Sequence, residues 1–380
     1  MNVEDTLREL VAINSVSARS NAEIISYLEA RCTNAGFGTR RFLHIDEVGV
    51  EKINLVAQAS VRDSLQAEVR ATVELALIGH TDTVPYDALW SDALNLTPRD
   101  GKLFGRGACD TKAFIAAALT AAESIDVPKL NKPFALIFTA DEEIGCLGAK
   151  RLAAAKPFAA HYAIVGEPTS LQPMRAGKGY CVADLTVRGR EAHSAYPQAG
   201  ASAIFRAAHL IEGIEAIAEE LERDQLAGFD PPHTTINVGL INGGSAKNII
   251  PGACQFTLEW RSIPNQRTDY VLDLVENTIS QMKHDDPDFI CDIYAHGADE
   301  SFETPLDSPL VQFLQRATDK PSGTVAFGTE APSMIALGAE TAVFGPGDIR
   351  VAHRSDEFVP VGELDQCVTV LRQAIDRFCG

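Results

Sequence analysis

The 380-residue chain carries 46% apolar and 22% charged residues and a net charge of −19. Its length predicts two domains, or one domain with a large insertion, and its composition a globular fold with a sizeable core. No Lys/Arg-rich run offsets the acidity, which argues against nucleic acid as a partner, and no stretch of about 18 uncharged apolar residues suggests a membrane span.

The opening residues, MNVEDTLRELVAINS, predict an amphipathic helix. Charges interrupt its apolar runs, so it lacks the basic start and apolar core of a signal peptide. Up to about residue 170, apolar β-rich runs alternate with helical patterns. VELALIG (73–79), FALIFTA (134–140) and YAIVG (162–166) predict strands, and TKAFIAAALTAAESI (111–125) and AKRLAAA (149–155) predict helices. Continuous apolar strands separated by helices indicate a mostly parallel sheet covered on both faces, an α/β fold. The pattern then changes. YCVADLTVRGR (180–190) alternates apolar and polar residues, as a strand with one wet face does. A helix over about 201–224, strands at 234–244 and 254–263, a helix at 268–283 and a strand at 288–297 complete a two-layer α+β, ferredoxin-like unit. It reads as an insertion, because a helix (308–318), a buried strand (340–345) and a final helix (362–378) follow it. The expected division is therefore a catalytic domain in two parts, 1–174 and 298–380, around an inserted lid or dimerisation domain, 175–297.

The eight cysteines are scattered without a C-x-x-C pair, a pattern that fits reduced thiols in a cytoplasm, the expected location. Cys109 and Cys146 lie near the motifs below. Neither has the second sulfur a thiolate metal site wants, and both are read as packing residues.

In open α/β sheets, ligands bind just beyond the carboxyl ends of the strands. There the sequence places His80 and Asp82 in ALIGHTDTVP, Asp110 in GRGACDTKA, Glu142 and Glu143 in FALIFTADEEIG, Glu167 in YAIVGEP, and His353 in AVFGPGDIRVAH. Taken singly, His80 could be a satisfied core histidine, Asp110 a helix cap and Glu167 a solvated loop residue. Together, several acids crowded on one rim need a cation. Histidines mixed with carboxylates suit zinc, with cobalt or manganese in its place, better than calcium or magnesium. There is no H-E-x-x-H helix. Two ions about 3.5–4 Å apart, each with one histidine and one terminal carboxylate and sharing Asp110, would use every ligand.

The blocks GHTDTVP, GRGACDTKA, DEEIG, GEPT, AHSAYP and GPGDIRVAHRSDEF, running in order from residue 79 to 358, resemble the signature blocks of the dizinc amidohydrolase and metallopeptidase family. FGTEAP (327–332) and GPGDIRVAH most resemble its acetylornithine deacetylase branch, although Thr111 and Ala113 stand where that branch commonly has Met and Gly. The resemblance implies two zinc ions, one held by His80, Asp110 and Glu167 and the other by Asp110, Glu143 and His353. It implies Asp82 behind His80, fixing its tautomer, and Glu142 as the general base toward a water bridging the metals. Asp141 is left as a turn or supporting residue.

Further implications concern the inserted domain. His193 would supply an oxyanion donor, reaching into the partner subunit's site in a homodimer. Arg261 would clamp a substrate carboxylate and Asn248 would make a polar contact in the same lid, unless they are an edge-strand arginine and a turn asparagine; outside that domain, Glu330 could approach a substrate amine or be a plain loop acid. The implied reaction is metal-dependent hydrolysis of an N-acyl amino acid, first N-acetyl-L-ornithine to L-ornithine and acetate, as in arginine biosynthesis. A desuccinylase, aminoacylase or dipeptidase is the alternative within the class. A non-catalytic metal or amino-acid binder is the alternative outside it, and Glu142 tells against it, since a binder has no use for a general base.

Overall fold

The structure is a computed structural model and describes residues 2–59 and 72–380. It divides the chain into two compact units. The first holds the chain up to Arg175, together with Thr304–Gly323 and Thr329–Gly380; the second holds Ala176–Glu303 and Thr324–Gly328.

The first unit is built on a mixed sheet. Its strands Glu51–Ala59, Phe134–Thr139, Thr72–His80, Ala159–Val165 and Glu340–Val343 lie side by side in that order, and the last four run parallel. All six residues of Phe134–Thr139 are buried, as the unbroken apolar run requires of a strand covered on both faces. Glu51–Ala59 pairs antiparallel with Phe134–Thr139 and with the edge strand Gly38–Ile45. That hairpin and the helix Ala22–Asn34 were not anticipated. GTRRFLHI is mostly exposed, so it carries neither an apolar run nor a clean alternation.

Register places the site. His80 pairs with Thr139, Ile78 with Val165, and Val343 with Val165, so these parallel strands finish at one edge. Beside them the helix Lys112–Glu123 is buried on nearly every face. Its alanines allow close approach, and Gly166 completes the fit: a Cβ there would fall 2.0 Å from Phe114 Cδ1. The final helix, Val361–Cys379, lays an apolar stripe on the same core.

The second unit has the order strand, helix, strand, strand, helix, strand. Its antiparallel sheet runs Thr235–Gly243, Ala253–Arg261, Tyr180–Arg188, Ile290–Asp299. Alternate residues Cys181, Ala183, Leu185 and Val187 face a core shared with Phe256, Trp260 and the helices Ala203–Leu221 and Tyr270–Asp285. The return of Thr324–Gly328 to this unit had no sequence signal. No disulfide joins the described cysteines. Among the described residues no helix is long and apolar enough to cross a membrane.

Candidate metal centre

At the common strand edge, His80 is the last residue of its strand, Glu142 and Glu143 follow Thr139 after a short turn, and Glu167 follows Val165 by two residues. Asp110 stands just before the Lys112–Glu123 helix, and His353 follows a single 3-10 turn, Ile349–Val351. Ligand atoms of His80, Asp110 and Glu167 all lie within 4.8 Å of one another, and so do those of Asp110, Glu143 and His353. Asp110 belongs to both groups through different oxygens. Its Oδ1 is 3.0 Å from His80 Nε2, and its Oδ2 is 3.2 Å from His353 Nε2, which is also 3.0 Å from Glu143 Oε2.

The electrostatics of this cluster are those of a site built for cations. Burial opposes the charge on His80, yet Glu142, Asp110 and Asp82 outweigh it and raise its pKa well above the ordinary value. Hydrogen bonds to Asp110 and Glu143 push His353 up to about 10. Burial would raise Asp110, but His353 and His80 hold it below the usual carboxylate range. Burial, with Asp110 and Glu142 beside it, pushes Glu167 well up, and Glu167 Oε1 is buried without a hydrogen-bond partner. An orphaned buried carboxylate oxygen among acids is costly unless something positive meets it. Two divalent ions fit: each group offers one imidazole nitrogen and carboxylate oxygens, a donor set that suits zinc, cobalt or manganese.

Asp82 lies behind His80, with a detail the sequence did not give. The nearest acceptor to His80 Nδ1 is the Asp82 backbone carbonyl at 3.0 Å, while the carboxylate Oδ1 is 3.6 Å away. The carboxylate instead takes the Ser17 hydroxyl at 2.8 Å and the Glu142 and Glu143 amides at 3.1 and 3.3 Å. Glu142 belongs to neither ligand group. It is mostly but not fully buried, its Oε2 is 3.9 Å from His80 Nε2, and the Cys146 thiol donates to its Oε1 at 3.4 Å. Burial, opposed by His80 and reinforced by Glu143, Asp110 and Glu330, raises its pKa well above the ordinary value. Glu330, just ahead of the helix Ala331–Ala336, is also buried, and neither carboxylate oxygen has a hydrogen-bond partner. Burial outweighs the help of His80 and Thr139, and its pKa rises to about 7.

Several supporting residues escaped the sequence reading. Glu357 is fully buried; its Oε1 accepts the Cys109 and Asp110 amides at 2.9 and 3.0 Å, and its Oε2 pairs with Arg106. It thus fixes the backbone that carries the shared aspartate. Both partners sit inside quoted blocks, GRGACDTKA and HRSDEF, but they lie 251 residues apart, beyond any local pattern. Lys112 is buried with Nζ on the Ile13 carbonyl at 2.8 Å, and burial brings its pKa down to about 7.

His193, Asn248 and Arg261 belong to the inserted unit. His193 pairs with Ile249 in a two-stranded ladder, and the Ser194 amide donates to the Asn248 carbonyl at 3.1 Å, so the two polar residues share one small platform. His193 Nδ1 accepts the Ala195 amide at 3.1 Å; the neutral ring therefore carries its proton on Nε2. The Arg261 guanidinium stacks 4.7 Å over the Tyr180 ring, with Nε on Glu259 and Nη1 on the Ala326 carbonyl, both at 2.9 Å.

The family model described as peptidase family M20/M25/M40 matches residues 76–377. The chain is 50% identical over 376 residues to acetylornithine deacetylase of Myxococcus xanthus, covering 99% of this chain and 97% of that one. It is 33% identical to acetylornithine deacetylase of Proteus mirabilis, covering 98% and 95%. In fold it is similar to a tripeptidase from Staphylococcus aureus (TM-score 0.76, 21% identity, 99% and 98% covered). It is also similar to an M20 family metallo-carboxypeptidase from Sulfolobus solfataricus (TM-score 0.72, 19% identity, 98% of each chain).

Proposed function

The chain belongs to peptidase family M20/M25/M40, and on that premise we propose that it hydrolyses N-acetyl-L-ornithine to L-ornithine and acetate. It is a metal-dependent amidohydrolase. The acetylornithine reading rests on the full-length likeness to relatives of that name, and it points to a cytoplasmic role in arginine biosynthesis.

In this reading His80, Asp110 and Glu167 hold one zinc ion, and Asp110, Glu143 and His353 hold the other, with cobalt able to substitute. The ions supply Lewis acidity toward the amide carbonyl and lower the pKa of water. Glu142 is the general base. It takes a proton from the attacking water, holds it on a mostly buried carboxyl whose neutral form its surroundings already favour, and delivers it to the departing amine. Asp82 orients His80 and anchors the amides of Glu142 and Glu143. His193 offers an Nε2–H donor for the developing oxyanion. Arg261, its plane set by Tyr180 and Glu259, takes the substrate carboxylate. Asn248 adds a polar contact, and the unpartnered carboxyl of Glu330 answers a substrate amine.

A homodimer through the inserted unit completes the proposal. Phe205, Leu240 and Ile241 are 72%, 72% and 58% exposed, and Phe205 also lines a groove of about 760 Å³ with Ile204, Ile249 and Pro251. Apolar surface of this kind supports a protein partner.

The observation that carries the catalytic reading is Glu142, a mostly buried carboxyl beside the ligand groups but in neither of them. The test is acetate release from N-acetyl-L-ornithine by zinc-loaded enzyme. Glu142→Gln is expected to lose at least about 10³ in kcat with both zinc ions retained. An active Glu142→Gln enzyme refutes the base. Equal or better turnover of N-acetylmethionine or N-succinyl-diaminopimelate refutes the substrate, and no turnover of any N-acyl amino acid favours a binder.

A further inference from the structure

Lys52 is the second residue of the largely buried strand Glu51–Ala59, and it is 1% exposed. A buried ammonium needs all three of its donors satisfied, and here they are. Nζ donates to Asp141 Oδ1 at 2.7 Å, to the Arg19 carbonyl at 3.1 Å and to the Ser17 carbonyl. Asp141 is equally buried, and its backbone is left-handed, with φ of 58°. Its other oxygen has no hydrogen-bond partner. The His44 ring lies 3.5 Å from it, and burial and Arg151 keep that ring below its ordinary pKa range. Lys52 is therefore the charge that balances Asp141.

The contacts form a closed loop. Lys52 grips the Ser17 carbonyl; the Ser17 hydroxyl donates to Asp82; Asp82 accepts the amides of Glu142 and Glu143; and Asp141, the residue before them, returns to Lys52. The acid turn is thus pinned at one end by Asp82 and at the other by Lys52.

We infer that Lys52 is a positioning residue for the hydrolysis: through Asp141 and the Ser17 carbonyl it fixes the turn that aims Glu142 and Glu143 in different directions. It touches neither substrate nor the ligand groups, and it acts through the geometry of the base. The inference rests on the roles given above to Glu142 and Glu143, and the two fail separately, because the turn can be watched without turnover.

The test uses Lys52→Met and the double variant Lys52→Met/Asp141→Asn, which leaves no unpaired charge. Three quantities are read for each: kcat and KM on N-acetyl-L-ornithine, zinc content, and hydrogen exchange of the Glu142 and Glu143 amides in chelator-treated protein. In Lys52→Met both amides should exchange at least tenfold faster while the core strands keep their protection. Its kcat should fall at least tenfold, with KM within twofold and two zinc ions retained. The double variant should recover thermal stability and still show fast exchange and low kcat, because the tether stays missing. If Lys52→Met does not fold, the double variant carries the same readouts. Wild-type exchange and kcat in a folded variant overturn the inference. So does a loss shared evenly by all core amides, or failure of both variants to fold, since each makes Lys52 a plain core residue.

Discussion

Stripping metal from this site should load the folded protein with protons, and restoring it should expel them. Asp110 has ligand oxygens of both Glu167 and Glu143 within 4.8 Å. At that separation each pair of charged carboxylates repels by about 3.5 kcal/mol at an effective dielectric constant of about 20, so the metal-free cluster relieves itself with protons. The shifts locate them. His353 is pushed up to about 10, His80 is raised well above its ordinary value, and Glu142 and Glu167 are raised too. The sign follows from the direction: groups with raised folded pKa values stabilise the metal-free fold at low pH and lose that contribution as pH rises through those values. An imidazole nitrogen must shed its proton to ligate. Loading two ions near pH 7 should therefore release about two protons from His80 and His353 and more from Glu167. The combined affinity should tighten by at least about 10² per pH unit. Calorimetric titration of zinc into chelator-treated protein, in two buffers of different ionisation enthalpy, measures the release. The melting temperature of the metal-free protein should meanwhile fall between pH 6 and 9. A release below about half a proton per pair of ions refutes the reasoning.

Glu357→Gln removes the charge that balances buried Arg106 and weakens the cradle under the Asp110 amide, and should cost about 3–5 kcal/mol by denaturant unfolding; less than about 1 kcal/mol refutes that role. Gly166→Ala drives a methyl into Phe114 and should cost about 1–3 kcal/mol, with Phe114→Leu restoring much of it; additive losses from the two changes refute the packing argument. Phe205→Glu places a charge on the exposed apolar patch of the inserted unit, and sedimentation equilibrium should show a weakened dimer; a monomeric unmodified protein refutes the dimer itself.

What could be read from the sequence was what one-dimensional patterns encode. Apolar runs marked the parallel strands, and the chemistry-bearing residues stood where those runs stop, so His80, Glu143, Glu167 and His353 could be named together before any coordinate was known. The βαββαβ order of the inserted unit followed from a switch to alternating burial, seen in Tyr180–Arg188. Roles set by distant pairing were invisible. Lys52 in EKINLVAQ reads as an ordinary polar interruption until Asp141, 89 residues on, is brought against it. Arg106 and Glu357 raise the same difficulty over a longer span. The acceptor at His80 Nδ1 was left open for a different reason. Spacing puts Asp82 on the right side of the histidine, but it does not say whether carboxylate or carbonyl comes nearer.

Two adjacent glutamates are given different work by a turn that Asp141 makes possible. An extended chain would send their side chains to opposite faces of the sheet, and only one could then reach the ligand groups. Asp141 departs from extended backbone into the left-handed region, at a cost of about 1–2 kcal/mol for a residue with a Cβ. Glu142 and Glu143 then present their amides to the two oxygens of one carboxylate, Asp82. From that shared anchor Glu143 reaches His353 and Asp110, while Glu142 turns to His80 and Cys146. The conformational cost has to be met by contacts at Asp141 itself, because Asp82 holds only the far side of the turn. The Leu147 amide donates to the Asp141 carbonyl at 3.0 Å, and the Lys52 ion pair holds its side chain; that pair is buried, so water cannot replace it. On the proposed roles, separation of base from ligand is thus a property of the turn, and the turn depends on a lysine that lies outside both ligand groups.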